Sequence, residues 1–240
     1  MRPGRLGIVT GLPGETRAAR GTAALIRCAG GSPGRARSHA EALAGSGAAG
    51  LVSFGVAGGL DPGLQPGTVV VATGIAAPGG GSLGIDRDWA DRLAARLEPA
   101  LGVVRAPVAG ARGPVADAAA RAALAESSGA AAVDMESHEV ALAAAQAGLP
   151  ALAVRAIADP AGRGLPGAAL AALGVGRAGA FTELCRRPGD WPALARLAMD
   201  YRRALAALRR VVAAGGPDLA FRGGASPGTS ANRARARARR

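Results

Sequence analysis

The chain has 240 residues, 49% of them hydrophobic, enough to bury a full core in one large α/β domain with or without an appendage. Its formal net charge is +12 and every basic residue is Arg, but six arginines and no acid lie in residues 222–240, so the body carries only about half of the excess. Two distant cysteines, Cys28 and Cys185, and an apolar run at 6–10 too short for a signal segment or a span exclude a disulfide framework, a zinc site and a bilayer-crossing protein, and point to a reduced, cytoplasmic one.

Short apolar runs bounded by Gly and Pro alternate with longer Ala/Leu/Arg segments, the pattern of strands buried on both faces between helices. In chain order this predicts strands at 6–10 and 24–28, a helix at 35–44, a strand at 50–55 running into a glycine-rich turn, and a strand at 68–72. A helix at 87–97, a strand at 103–108, a helix at 117–126 and a strand at 131–134 follow. The helix at 136–147 has acidic residues in its first turn, which suits the macrodipole, and Gly148-Leu149-Pro150 stops it. With the strand at 151–157 it is expected to form a right-handed βαβ unit.

Two more helices are predicted at 167–185 and 192–213. The last carries Leu194, Leu197, Tyr201, Leu205, Leu208 and Val212 at helical spacing, with Arg196, Arg202, Arg203, Arg209 and Arg210 over the remaining surface. Such a helix either docks on the core or lies on an anionic membrane. Beyond Gly215-Gly216-Pro217 the composition turns to Gly, Ser, Pro and Arg, so residues 1–214 are expected to form the folded domain and 215–240 a disordered basic tail. The tail's arginines could touch phosphate, but no aromatic residues interleave them, and specific nucleic-acid recognition is not expected.

Three constellations carry chemistry. Leu6-Gly7-Ile8-Val9-Thr10-Gly11-Leu12-Pro13-Gly14-Glu15 is a strand entering a Gly/Pro turn with a carboxylate beyond it; alone, Glu15 reads equally as a first-turn helix residue. Ser53 to Val71 holds Gly55, Gly58 and Gly59, which permit close backbone approach to a flat or anionic ligand but match neither a dinucleotide fingerprint nor a P-loop. Val133-Asp134-Met135-Glu136-Ser137 and Val154-Arg155-Ala156-Ile157-Ala158-Asp159-Pro160 place two more carboxylates at adjoining edges of an α/β unit, although each alone reads as a helix-start or turn residue.

In this order and at these separations the three regions resemble the nucleoside phosphorylase and nucleosidase superfamily, most closely its methylthioadenosine/S-adenosylhomocysteine nucleosidase branch, over roughly residues 6–187. Within it, Val133-Asp134-Met135-Glu136-Ser137-His138-Glu139-Val140 and the Arg-rich final helix look like the hopanoid-associated phosphorylase group. The resemblance implies a three-layer α/β sandwich with a central twisted mixed sheet. It also implies cleavage of a purine nucleoside, with adenine released from adenosylhopane as the first reading. A soluble methylthioadenosine-type nucleosidase or a phosphate-dependent purine nucleoside phosphorylase is the alternative, and a non-catalytic nucleoside-binding module the third.

By that resemblance Glu15 deprotonates the attacking water and Asp159 hydrogen-bonds the purine and delivers a proton to N7. Glu136 holds the ribose hydroxyls, Met135 packs on the sugar, Ala57 and Gly58 contact substrate, and Arg155 pairs with the site's carboxylates. No metal or cofactor is implied, with phosphate the one possible co-substrate, and the partners implied are a purine nucleoside, a second copy in a homodimer and, peripherally, an anionic membrane. Phosphorylases of the superfamily carry an Arg where this chain has Ser53-Phe54, which argues for hydrolysis, although Arg17, Arg20 or Arg35 could substitute. Val56 stands where the nucleosidases usually place Ser. His138 is read as facing either ligand or core packing.

Overall fold

The computed structural model describes residues 4–167, 169 and 186–222. The elements run β1 (Gly7–Thr10), α1 (Pro13–Ala19), β2 (Leu25–Cys28), α2 (Pro33–Gly45), β3 (Leu51–Gly59), β4 (Val69–Ala76), β5 (Ser82–Leu83), α3 (Arg87–Leu97), β6 (Val103–Gly110), α4 (Ala118–Ser128), β7 (Ala132–Asp134), α5 (Ser137–Gln146) and β8 (Ala151–Asp159), followed by a short 3₁₀ turn and α6 (Trp191–Gly215). Helix starts follow local chemistry. Ser32, Asp86 and Asp117 accept the first-turn N–H groups of Arg35, Trp89 and Ala119, and Gly129 closes α4 in the left-handed region at φ +63°.

The sheet is mixed and strongly curled, as expected, and it goes further by closing on itself. β3 pairs in parallel with β8, β8 antiparallel with β4, β4 in parallel with β6, β6 in parallel with β7, and β7 antiparallel with β3. β1 and β2 extend this ring in parallel from the first half of β3, and β5 hangs on the end of β4. Apolar side chains of α1, α3 and α6 pack on one side of the sheet and those of α2 and α5 on the other, which makes the three layers. The runs Ile8-Val9 and Val69-Val70-Val71 are wholly buried, as strands covered on both faces must be.

Four sequence expectations change. The strand expected to end at Gly55 continues to Gly59, so the glycine-rich turn is ladder: Gly55 and Gly58 pair with Arg155 and Asp159 of β8. β7 and β8 flank β3 in opposite directions, so α5 does not close a parallel βαβ unit. Residues 215–222, assigned by composition to the tail, belong to the folded body. Leu219 and Phe221 are buried, Trp89 Nε1 donates to the Leu219 carbonyl at 2.8 Å, and the Trp89 and Phe221 rings lie 4.7 Å apart. Composition misses this because two large apolar residues among small ones are enough to anchor a turn. The short β5 was also not foreseen, whereas α1 fits the reading of Glu15 as a first-turn helix residue. The helix expected at 167–185 and the tail from 223 onward fall outside the described residues.

α6 docks on the core. Leu205, Leu208, Val211 and Val212 are buried against α1, α3 and the sheet, each contributing about 1.5–3 kcal/mol by leaving water. That apolar stripe is therefore not free to enter a membrane. Among the described residues no helix is long and apolar enough to cross one.

Candidate active site

A cleft of about 540 Å³ opens where β1, β3, β7 and β8 end, and it brings the sequence-nominated carboxylates together. Glu15, Ala57, Gly58, Met135, Glu136 and Asp159 all line it. A second cavity of about 560 Å³ beneath the β4–β5 hairpin has none of these carboxylates in its lining.

Glu15 lies on the floor, 2% exposed, in the first turn of α1. Its two oxygens accept the backbone N–H groups of Leu12 at 2.8 Å and of Val56 at 3.0 Å, which fixes the carboxylate against the strand. Val56 has no hydroxyl, and it is its main-chain N–H that reaches Glu15. A Cβ on Gly55 would come within 2.8 Å of the Glu15 carboxyl carbon, so this glycine makes room for the acid. Burial pushes the Glu15 carboxyl above the usual range, against the pull of those hydrogen bonds and of Arg155.

Glu136 is the N-cap residue of α5 and is 7% exposed; a Cβ on Gly11 would lie 2.8 Å from its Oε1. Burial first, then the neighbouring negative charges of Asp134 and Glu15, push its carboxyl up to about 7, while Arg155 opposes them. Glu136 does not cap its helix. Asp134 does, accepting the Ser137 N–H at 3.0 Å and the Ser137 hydroxyl at 2.8 Å.

Arg155, expected to pair with the site's carboxylates and nominated to contact substrate, meets Asp134 but does not line the cleft. It is 1% exposed, lies behind the cleft lining, and pairs with Asp134 while donating to Ser53 Oγ and, at 2.9 Å, to Ser137 Oγ. Its Nη groups find acceptors on Asp134, Ser53, Ser137 and the Val154 carbonyl, while its buried Nε has no hydrogen-bond partner among the described residues. Ser53 is thereby also withdrawn, buried under the floor with its hydroxyl bonded to Arg155. Of the three proposed substitutes, Arg35 lines the cleft and Arg17 and Arg20 do not. His138 packs on Gly110, 7% exposed and outside the cleft lining, so core packing is its role.

Asp159 occupies the opposite wall. The β3–β8 register slips between Ala57 and Gly58, so that Ile157 faces Ala57 but Asp159, rather than Ala158, faces Gly58. This bulge aims the Asp159 side chain at the cleft. Its carboxylate is ion-paired with Arg121 of α4, a residue that sequence reasoning passed over because an Arg in an Ala-rich helix reads as surface. Burial raises the Asp159 carboxyl above its ordinary value although Arg121, and more weakly Arg163, pull it down. The cleft thus places a buried, hydrogen-bonded carboxylate on its floor and an ion-paired carboxylate on its wall. Among the described residues no group of three or more His, Cys, Asp or Glu side chains could hold a metal ion.

The fold is shared with solved nucleosidases. The 5'-methylthioadenosine/S-adenosylhomocysteine nucleosidase of Neisseria meningitidis, in complex with methylthio-immucillin-A, superposes with a TM-score of 0.68 at 16% identity, over 87% of this chain and 96% of that one. Futalosine hydrolase of Helicobacter pylori gives 0.66 at 14% identity over 88% and 98%. The H. pylori 5'-methylthioadenosine/S-adenosylhomocysteine nucleosidase with 5'-methylthioadenosine in its active site gives 0.65 at 14%, again over 88% and 98%. No curated protein matches the chain by sequence. The sequence pattern of the phosphorylase superfamily matches residues 8–178, more than half of the chain and every carboxylate described above, and the chain belongs to that superfamily.

Proposed function

We propose that the chain is a purine nucleosidase that hydrolyses the N-glycosidic bond of a 5'-substituted adenosine. The observation that carries the reading is the convergence, in one cleft, of a buried carboxylate pair, Glu15 and Glu136, with Asp159 on the facing wall. Glu15 takes a proton from water as the water attacks C1', the C1'–N9 bond breaks with its electron pair leaving on the purine, and Asp159 supplies the proton to N7. Glu136 accepts hydrogen bonds from the ribose hydroxyls while Met135 covers the sugar. The sugar becomes oxocarbenium-like, and the two floor carboxylates stabilise that charge more than they stabilise neutral substrate.

Water is favoured over phosphate because a phosphate on this floor would meet two buried carboxylates of its own sign, and Ser53 is already bonded to Arg155. Leu12, 37% exposed at the cleft beside Glu15, gives an apolar C5' group a place to rest. That observation suits a methylthio group first. It also keeps adenosylhopane as the second reading, which rests otherwise on sequence resemblance.

Purine release from methylthioadenosine and from adenosylhopane in detergent, with and without phosphate and with an Asp159→Asn control, tests the proposal. Phosphate-independent release with the free 5-substituted ribose as co-product is expected. A 5-substituted ribose 1-phosphate product would make the chain a phosphorylase, and no release from either substrate would leave a nucleoside-binding module. The homodimer and the peripheral membrane contact belong to the same reading; light scattering at working concentration and sedimentation with anionic liposomes check them.

A further inference from the structure

We propose that Arg121 is the positioning residue of the purine-facing wall, holding Asp159 in place and tying together the two loops that frame it. The inference rests on the nucleosidase reading for what Asp159 does, and on geometry alone for what Arg121 does.

Arg121 is the one buried residue of α4 and only 2% exposed. Alanine or leucine would fill such a position in an Ala-rich helix without the desolvation that a guanidinium brings, so its partners must account for it. They come from two separate segments. Nε donates to the Val115 carbonyl at 2.8 Å in the β6–α4 loop, Nη1 donates to the Pro160 carbonyl at 3.1 Å just past β8, and Nη2 pairs with Asp159 Oδ2. The same two loops meet again where the Leu165 N–H donates to the Ala116 carbonyl at 3.1 Å. Val115, Arg121, Asp159 and Leu165 all line the cleft, so Arg121 sits inside the wall that it braces. A planar fork that reaches two loops and the carboxylate at once is something Lys could not reproduce.

This contact also bears on the acid. The charged groups that act on Asp159 are Arg121 from α4, Arg163 from the loop after β8 and Asp200 from α6. Arg163 is about half exposed and bonded to Asp200 at 2.6 Å, which leaves Arg121 as the buried cation in direct contact. Arg121 favours the carboxylate over the carboxylic acid, so its loss leaves Asp159 protonated to higher pH. Asp159 would then be a weaker acid on a looser loop.

The test has two readouts. The first is the carboxyl ¹³C titration of Asp159 in the unliganded protein, assigned with Asp159→Asn, in wild type, Arg121→Met, Arg121→Gln and Arg121→Lys. An upward shift of the midpoint in the Met and Gln variants, with Lys close to wild type, is expected; an unmoved midpoint in a folded Met or Gln variant overturns the proposal. The second is the pH profile of kcat/KM, whose alkaline limb is expected to move to higher pH in Arg121→Gln while kcat falls about tenfold, within the range of a misplaced acid. A uniform loss at every pH with the limb unmoved would mean a merely structural arginine and would overturn it as well. The titration needs no turnover. A wild type that cleaves no nucleoside therefore counts against the proposed function, and a flat titration counts against the role of Arg121.

Discussion

The two sides of the cleft handle their carboxylates in opposite ways. On the floor, neither Glu15 nor Glu136 forms an ion pair among the described residues: Arg155 is paired with Asp134 behind them, so burial raises both carboxyls, and the charges of Asp134 and Glu15 add to the rise at Glu136. On the wall, Asp159 is paired directly with Arg121. The same residue chemistry, Arg beside carboxylate, thus serves one side as a remote charge and the other as a direct clamp. A proton acceptor needs an unpaired carboxylate, whereas a residue that must present one oxygen to a flat base needs its rotamer held.

The largest effect expected from breaking this contrast is on turnover. Asp159→Asn and Glu15→Gln should each lower kcat by about 10²–10⁴-fold, measured as purine release; a Glu15→Gln variant with the wild-type rate would remove the floor from the chemistry. Next comes the buried pair behind the floor. Arg155→Met strands Asp134 and Ser137 and should cost about 3–5 kcal/mol, a melting-temperature drop on the order of 10 °C, part of which Asp134→Asn should restore in the double variant. If the single variant melts like wild type, Arg155 does not support the floor.

Smaller in stability but direct in activity are the two glycines that accommodate acids. Gly11→Ala and Gly55→Ala each place a methyl 2.8 Å from a carboxylate atom and should displace Glu136 and Glu15, lowering kcat/KM by about 10²-fold with little change in melting temperature. The smallest expected effect is a stability difference that opens as pH rises. Because folding raises the Glu136 carboxyl from 4.5 to about 7, the folded state binds that proton more tightly. Its contribution is therefore complete below about pH 4.5 and is lost as pH rises through about 7. Glu136→Gln should match wild type near pH 4 and be more stable at pH 8 by on the order of 2 kcal/mol, as read by urea denaturation, while losing ribose binding. Equal stability at pH 8 would show that Glu136 ionises there without penalty.

The features legible in the sequence are those set by local chemistry. Apolar runs such as Val69-Val70-Val71, helix caps such as Ser32 and Asp86, and the run from Asp134 to Glu136 at a helix start mark strands, helix ends and acids through neighbours in sequence. Six of the seven nominated site residues do line the cleft: Glu15, Ala57, Gly58, Met135, Glu136 and Asp159. The misses all depend on partners distant in the chain. Gly55 to Gly59 looks like a turn because glycine permits one, and only pairing with β8 makes it strand. Arg155 reads as a substrate contact until Ser53 of β3 and the turn from Asp134 to Ser137 take its Nη donors. Leu219 and Phe221 look like tail until Trp89 meets them.

The sequence by itself therefore determined which residues are strand, helix and acid over most of the chain, because propensity, capping and apolar periodicity act within a few residues. Tertiary structure alone decided that the sheet closes on itself, that a bulge turns Asp159 inward, and that of two buried arginines one supports the cleft from behind while the other grips its wall. Those outcomes are set by register and by charge pairing between segments dozens of residues apart, and no local preference encodes them.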